Sequence, residues 1–282
     1  MKHSGGAERD DGILIFGERV HMVASDLDGT LLRRDGALSP RTVSAITSAV
    51  DAGTEVVLVT GRPPRWVDAV AAQIPCHPVV ICSNGALTYD AKERAVTGEH
   101  TISPGAALQL VDLLRAELTD PAFAVEAGFA YGQEPTYPNQ WPLPAGSLVA
   151  AVEHLVTMPV AKLVVRHKEP GDPWEVLDRA RRAVGELAEV TSSGPGAPIE
   201  LAAPGVSKAS ALAFLAAVAG VEAKAVLAFG DMPNDLTMLA WAGTSVAPAN
   251  AHPEVLAAVD YVTTDCDQDG VAVFLEGLLG PR

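Results

Sequence analysis

The alternation along residues 20–85 constrains this chain more than any other feature. An apolar-rich run at 20–25 ends in the acidic turn Asp26-Leu27-Asp28-Gly29. Ser39 then reads as a helix N-cap with Pro40 at the first helical position, Val43, Ile46 and Val50 share one face, and Gly53 stops the helix. A continuous apolar run at 56–59 leads into Thr60-Gly61-Arg62. A second helix is predicted over 64–74, placing Thr60 and Gly61 near a helix start, and a third strand over 78–82 ends in Ser83-Asn84-Gly85. Strand, helix, strand, helix, strand with short links predicts an α/β core: a doubly wound parallel sheet covered on both faces. Right-handed crossovers put every strand tip on one edge, and ligands of such sheets bind outside that edge. The acidic turn and the Thr60-Gly61 turn both fall there.

The pattern changes between residues 87 and 198. A hairpin at 87–100, a helix capped by Ser103, strand-like runs at 123–126 and 160–166, a Pro-rich aromatic loop at 131–144 and a helix at 173–184 predict an inserted α+β domain. The alternating pattern resumes with a helix at 207–219, a strand at 225–229, the turn Gly230-Asp231-Met232-Pro233-Asn234-Asp235 and a closing helix at 271–279. The expected organisation is a flexible extension at 1–19, a Rossmann-like core built from 20–86 and 199–282, and the insert at 87–198. The insert leaves and re-enters at the edge that carries the acidic turns, so it is expected to roof the site.

Composition narrows the function. The net charge of −15 argues against binding a nucleic-acid backbone or an anionic membrane surface. No apolar run approaches the roughly 18 residues of a membrane span. The three cysteines lie in no paired or metal-binding spacing and the seven histidines are scattered, so neither a disulfide framework nor a zinc site is indicated. A reducing cytoplasm is the expected location.

Four carboxylates, Asp26, Asp28, Asp231 and Asp235, converge on one sheet edge, and their repulsion calls for a cation. All-oxygen donors favour Mg²⁺ over zinc or copper. Asp-Leu-Asp-Gly alone would be an ordinary turn, and Asp231 with Asp235 alone could cap a helix. Thr60 and Gly61 add a hydroxyl and an open backbone N–H suited to an anion, and Lys208 adds a positive charge. These are the parts that phosphoryl transfer needs, since it depends mainly on positioning and charge neutralisation.

The motifs SDLDGTLL (25–32), VLVTGR (57–62), GVSKASAL (205–212) and GDMPNDLTML (230–239), with SNGAL (83–87) and APANAHPEVLAAVDYVT (247–263), resemble the haloacid dehalogenase superfamily. Within it the chain is similar to the Cof-like phosphatases with a type II, subclass B cap. The resemblance covers the chain from Val20 onward and is weak within the cap. It implies that Asp26 is the nucleophile and a metal ligand. Asp28 is then the general acid/base and binds Mg²⁺ through its backbone carbonyl, and Asp231 completes the metal ligands. Leu27 (by its backbone), Thr60, Gly61, Lys208 and Asn234 would hold the phosphate, with Asp235 in support. The implied reaction is hydrolysis of a small phosphorylated metabolite through a phospho-aspartate, a sugar phosphate first and a cofactor phosphate second. A phosphomutase or phosphotransferase shares the same core, and an inactive phosphate-ligand-binding protein is the alternative from another class.

Other residues keep two readings. Arg62, Arg65 and Asn84 either touch substrate or serve local structure: Arg62 the helix start, Arg65 the solvated surface, Asn84 the turn into the cap. Arg166, His167 and Lys168 read as a solvated strand end rather than a substrate clamp. Tyr131, Tyr137 and Trp141 either line a substrate-facing loop or pack the cap.

Overall fold

The computed structural model describes residues 13–279 apart from 16, 139–141, 169, 170 and 195, so Trp141 lies outside the described residues. The core is an eight-stranded sheet in the spatial order Tyr261–Thr263, Thr244–Pro248, Val226–Phe229, Met22–Ser25, Glu55–Val59, Val79–Cys82, Leu87–Asp90, Ala95–Glu99. The first six strands run parallel. Two separate apolar clusters flank the sheet, one holding Val23, Leu58 and Val80 and the other Met22, Val57 and Ile81, as alternation along buried parallel strands requires. The helix Pro40–Asp51 is capped as its sequence predicts: Ser39 Oγ accepts the Thr42 N–H at 3.0 Å.

Strand order explains how residues two hundred apart in sequence meet. Val226–Phe229 pairs directly with Met22–Ser25, with Phe229 opposite Ser25, and the Asp26 N–H donates to the Phe229 carbonyl at 3.0 Å. The two acidic turns therefore leave neighbouring strand tips.

The insert forms a second sheet in the order Leu148–Val149, Ala130–Gln133, Ala122–Ala127, Lys162–Arg166, Ile199–Ala202, Glu189–Thr191. The helices Pro104–Glu117 and Pro173–Val184 cover one face. Phe123, Val125, Leu163, Val165, Ile199 and Leu201 point toward them into the cap's own core. The alternate positions Glu126, Lys162, Val164, Arg166 and Glu200 line a cavity on the opposite face.

Strand pairing moves three of the expected limits. The hairpin Leu87–Asp90 and Ala95–Glu99, expected in the insert, adds antiparallel to the edge of the core sheet beside Val79–Cys82. Ile199–Ala202, expected in the returning core, is a strand of the cap sheet between Lys162–Arg166 and Glu189–Thr191. The described part of the N-terminal extension is not a loose tail, because Leu14–Ile15 and Glu18–Arg19 pair and Ile13 and Ile15 are buried in the core.

Candidate active site

Asp26, Lys208, Asp231 and Asp235 are all buried at the tips of the two central strands and the start of the helix Lys208–Ala219. Ser207 caps that helix through a reciprocal bond with Ser210, which fixes where Lys208 enters the site. Lys208 Nζ donates to Asp26 Oδ1 and to Asp235 Oδ1, each at 2.6 Å. Burial works against its charge, but the carboxylates of Asp235 and Asp26 outweigh that and raise its pKa. The other oxygen of Asp235 accepts the backbone N–H groups of Asp231 at 3.1 Å and Met232 at 3.0 Å. Asp235 is thus fully engaged as a brace for the turn and the lysine.

Asp231 accepts the Thr30 hydroxyl at 2.8 Å on Oδ1. Its Oδ2 faces Gly29, whose φ is +83° and where a Cβ would come within 2.4 Å of that oxygen. Glycine is required there by both conformation and space. Asn250 fixes the same turn by donating to the Gly29 carbonyl at 2.8 Å. Carboxylate oxygens of Asp26, Asp231 and Asp235 lie within 4.8 Å of one another. Burial, and then the charge of Asp235, push the Asp231 carboxyl up to about 7. Burial likewise raises Asp26 well above the usual carboxylate range, with Lys208 opposing and the Asp235 and Asp231 charges adding to it. One lysine does not neutralise three buried carboxylates. With Asp235 saturated by Lys208 and backbone N–H groups, Asp26 and Asp231 are the side chains free to bind a hard cation, so the donor set fits Mg²⁺.

Asp26, Asp28, Thr60, Gly61, Lys208 and Asn234 open onto one cavity of about 900 Å³ between core and cap. The Leu27 side chain is buried in the core, leaving only its backbone for the site. The helix after Thr60-Gly61 begins at Pro64, so these two residues form a loop before the helix rather than its N-terminal turn. Thr60 Oγ1 accepts the Arg62 N–H at 3.1 Å and tightens that loop.

The residues with two readings now separate. Arg62 pairs with Asp28, Nε to Oδ2 at 2.8 Å and Nη2 to Oδ1 at 2.5 Å. Arg65 is not solvated: it is buried against Glu126 at 2.8 Å, with Tyr131 stacked 5.1 Å from its guanidinium carbon. Asn84, at φ 55°, joins core and cap, donating to Glu200 Oε2 at 2.8 Å and accepting from Asn234 Nδ2 at 3.3 Å. Arg166 lines the cavity and donates to the Gly196 carbonyl at 2.6 Å, which corrects the reading of 166–168 as wholly solvated, while Lys168 does pair at the surface with Asp120. Tyr131 and Tyr137 line the cavity.

Sequence reasoning missed Glu126, Lys162 and Glu200. Lys162 Nζ donates to Glu200 Oε1 at 2.8 Å and, across the domain boundary, to the Gly61 carbonyl at 2.8 Å. Burial opposes its charge, yet Glu126 and Glu200 hold its pKa above the usual value. The available signal was charge at alternate positions of strands whose other face is apolar.

A parallel core with paired acidic turns, a buried lysine and a roofing α+β cap defines a phosphoryl-transfer type of hydrolase. A model of haloacid dehalogenase-like hydrolases matches residues 23–275. The putative phosphatase YxeH of Bacillus subtilis is 30% identical over 264 residues, covering 89% of this chain and 95% of YxeH. The pyridoxal phosphate phosphatase YbhA of Escherichia coli is 26% identical, covering 90% and 97%. A solved phosphatase of the haloalkanoate superfamily from Bacteroides thetaiotaomicron superimposes with a TM-score of 0.80 at 24% identity, covering 98% of each chain. The chain belongs to the haloacid dehalogenase-like hydrolase family, as a Cof-like enzyme of the phosphatase kind.

Proposed function

We propose that the protein is a Mg²⁺-dependent phosphomonoester hydrolase acting on a small phosphorylated metabolite, a sugar phosphate in the first instance, through a phospho-aspartate at Asp26. The observation that carries this reading is the buried Asp26 carboxylate, bonded to Lys208 and beside Asp231, on a cavity lined by both core and cap.

Asp26 and Asp231 side chains with the Asp28 carbonyl would hold Mg²⁺. When bound, the ion supplies positive charge that screens the carboxylates and the phosphate oxygens. Asp26 attacks phosphorus, the bond to the leaving oxygen breaks, and Lys208, the Thr60-Gly61 loop, Asn234 and the Leu27 backbone hold the transferred oxygens. Asp28 gives a proton to the departing alkoxide, then takes one from the water that attacks the phospho-aspartate and returns Asp26 as a carboxylate. The Arg62 partner of Asp28 acquires a competing anion when phosphate arrives, which frees Asp28 for this exchange. Among the described residues no helix is long and apolar enough to cross a membrane. The acidic composition and unpaired cysteines support a cytoplasmic location.

Phosphate release from p-nitrophenyl phosphate with Mg²⁺ tests the activity. Asp28→Asn tests the proton transfer. It is expected to lower kcat/KM for alkyl phosphates by about 10²–10⁴, because a poor leaving group needs the proton, and to cost p-nitrophenyl phosphate far less. Equal losses on both esters would remove Asp28 from that role.

A further inference from the structure

The cavity continues past the phosphate loop to a pair of residues that the chemistry at phosphorus does not use. Arg65 stands on the core helix Pro64–Ala71 and Glu126 on the cap strand Ala122–Ala127. Their side chains are 10% and 5% exposed and meet through Arg65 Nη2 and Glu126 Oε1 at 2.8 Å. Arg65 Nε and Nη1 and Glu126 Oε2 are shielded from solvent without a hydrogen-bond partner. Glu126 Oε2 forms an ion pair with Lys162 Nζ at 3.4 Å. Both residues line the cavity that Asp26 opens onto, and Tyr131 stacks on the guanidinium.

We propose that Arg65 and Glu126 are specificity-determining residues that together bind an uncharged hydroxyl of the leaving group, so that the substrates are phosphate esters of polyhydroxylated alcohols. This rests on the phosphatase reading above. A hydroxyl both donates and accepts, so seated here its oxygen accepts from an open Arg65 N–H and its O–H donates to Glu126 Oε2. A second anionic group on the substrate fits badly. A carboxylate has no proton to give Glu126, and the two cations here, Arg65 and Lys162, are already balanced by Glu126 and Glu200. Arg166 stands at the far end of the same strand, four residues from Lys162, and is engaged with the Gly196 carbonyl. Because the pair joins core to cap, a hydroxyl seated in it also completes the contact that holds the lid shut, linking recognition to closure.

Three six-carbon esters with the same phosphate test this: sorbitol 6-phosphate, hexyl phosphate, and the carboxylated ester 6-(phosphonooxy)hexanoate. The wild-type enzyme is expected to prefer sorbitol 6-phosphate over hexyl phosphate by more than about tenfold in kcat/KM, and to gain nothing from the carboxylate. Arg65→Met and Glu126→Gln are each expected to lower the sorbitol-to-hexyl ratio about tenfold or more. A general structural defect would slow both esters and leave that ratio in place. Should Arg65→Met fail to fold, the nearly isosteric Glu126→Gln decides alone. A ratio that stays within about threefold of wild type in the folded variants, or a wild-type preference for the carboxylated ester, overturns the assignment. If no phosphate is released even from p-nitrophenyl phosphate, the phosphatase reading fails and this inference with it. If phosphate is released but selectivity does not respond, only the inference fails.

Discussion

Asp26→Asn is expected to reduce phosphate release by on the order of 10⁴ or more with every ester, good and poor leaving groups alike, because an amide cannot form the acyl phosphate. The substitution nearly preserves shape and takes one charge out of a buried group of three carboxylates, while Lys208 keeps Asp235 as a partner. The variant should therefore melt within a few degrees of wild type, and its loss should appear in kcat rather than in folding. Thermal melts run beside single-turnover assays check both parts. A variant that keeps a tenth of wild-type turnover would exclude Asp26 as the nucleophile.

Removing the metal should have an effect of similar size. Asp26, Asp231 and Asp235 are crowded and buried, and Lys208 supplies one charge against three. With EDTA, turnover is expected to fall to the background rate and to return with Mg²⁺. Ca²⁺ should restore little, since its larger and looser coordination sphere leaves the nucleophile poorly placed. Mg²⁺ binding only the folded chain should also raise the melting temperature. At a hundredfold excess over Kd the stabilisation is about 2.7 kcal/mol, enough to shift the midpoint by several degrees. Full activity in EDTA would refute the metal's part, and an unchanged midpoint at saturating Mg²⁺ would count against a preformed site.

The catalytic edge was legible in the sequence because each of its parts is a short local motif at the end of a strand or the start of a helix. Asp26, Thr60, Lys208 and Asp231 each follow a recognisable apolar run or cap, and parallel topology alone brings such tips together. What was not legible depends on partners that lie far away in the chain. The hairpin Leu87–Asp90 and Ala95–Glu99 has the same pattern whether it starts a cap or extends a core, and only pairing with Val79–Cys82 decides. Ile13 and Ile15 look like a stray apolar patch until the core buries them. The helix begins at Pro64 as its sequence predicts, which leaves Thr60 and Gly61 in the loop before it rather than in its first turn. Lys162 lies inside the strand-like run 160–166, among apolar neighbours in sequence. Its importance appears once the cap sheet sets it opposite Glu126, on the strand next to Glu200, and the lid brings it to the Gly61 carbonyl. Arg62 carried two sequence readings, and neither foresaw its pairing with Asp28, because the two residues lie on different loops.

A phospho-aspartate mechanism requires a covalent phosphoryl group on Asp26. Mixing enzyme, Mg²⁺ and a good phosphate ester for less than one turnover, quenching in acid and reducing with borohydride converts an acyl phosphate into an alcohol that survives digestion. Peptide mass spectrometry then locates the reduced side chain. The expected result is reduction at residue 26 and at no other carboxylate, dependent on both substrate and Mg²⁺. Rapid phosphate release under the same conditions with residue 26 unmodified at every quench time would contradict it, since phosphate would then pass directly to water.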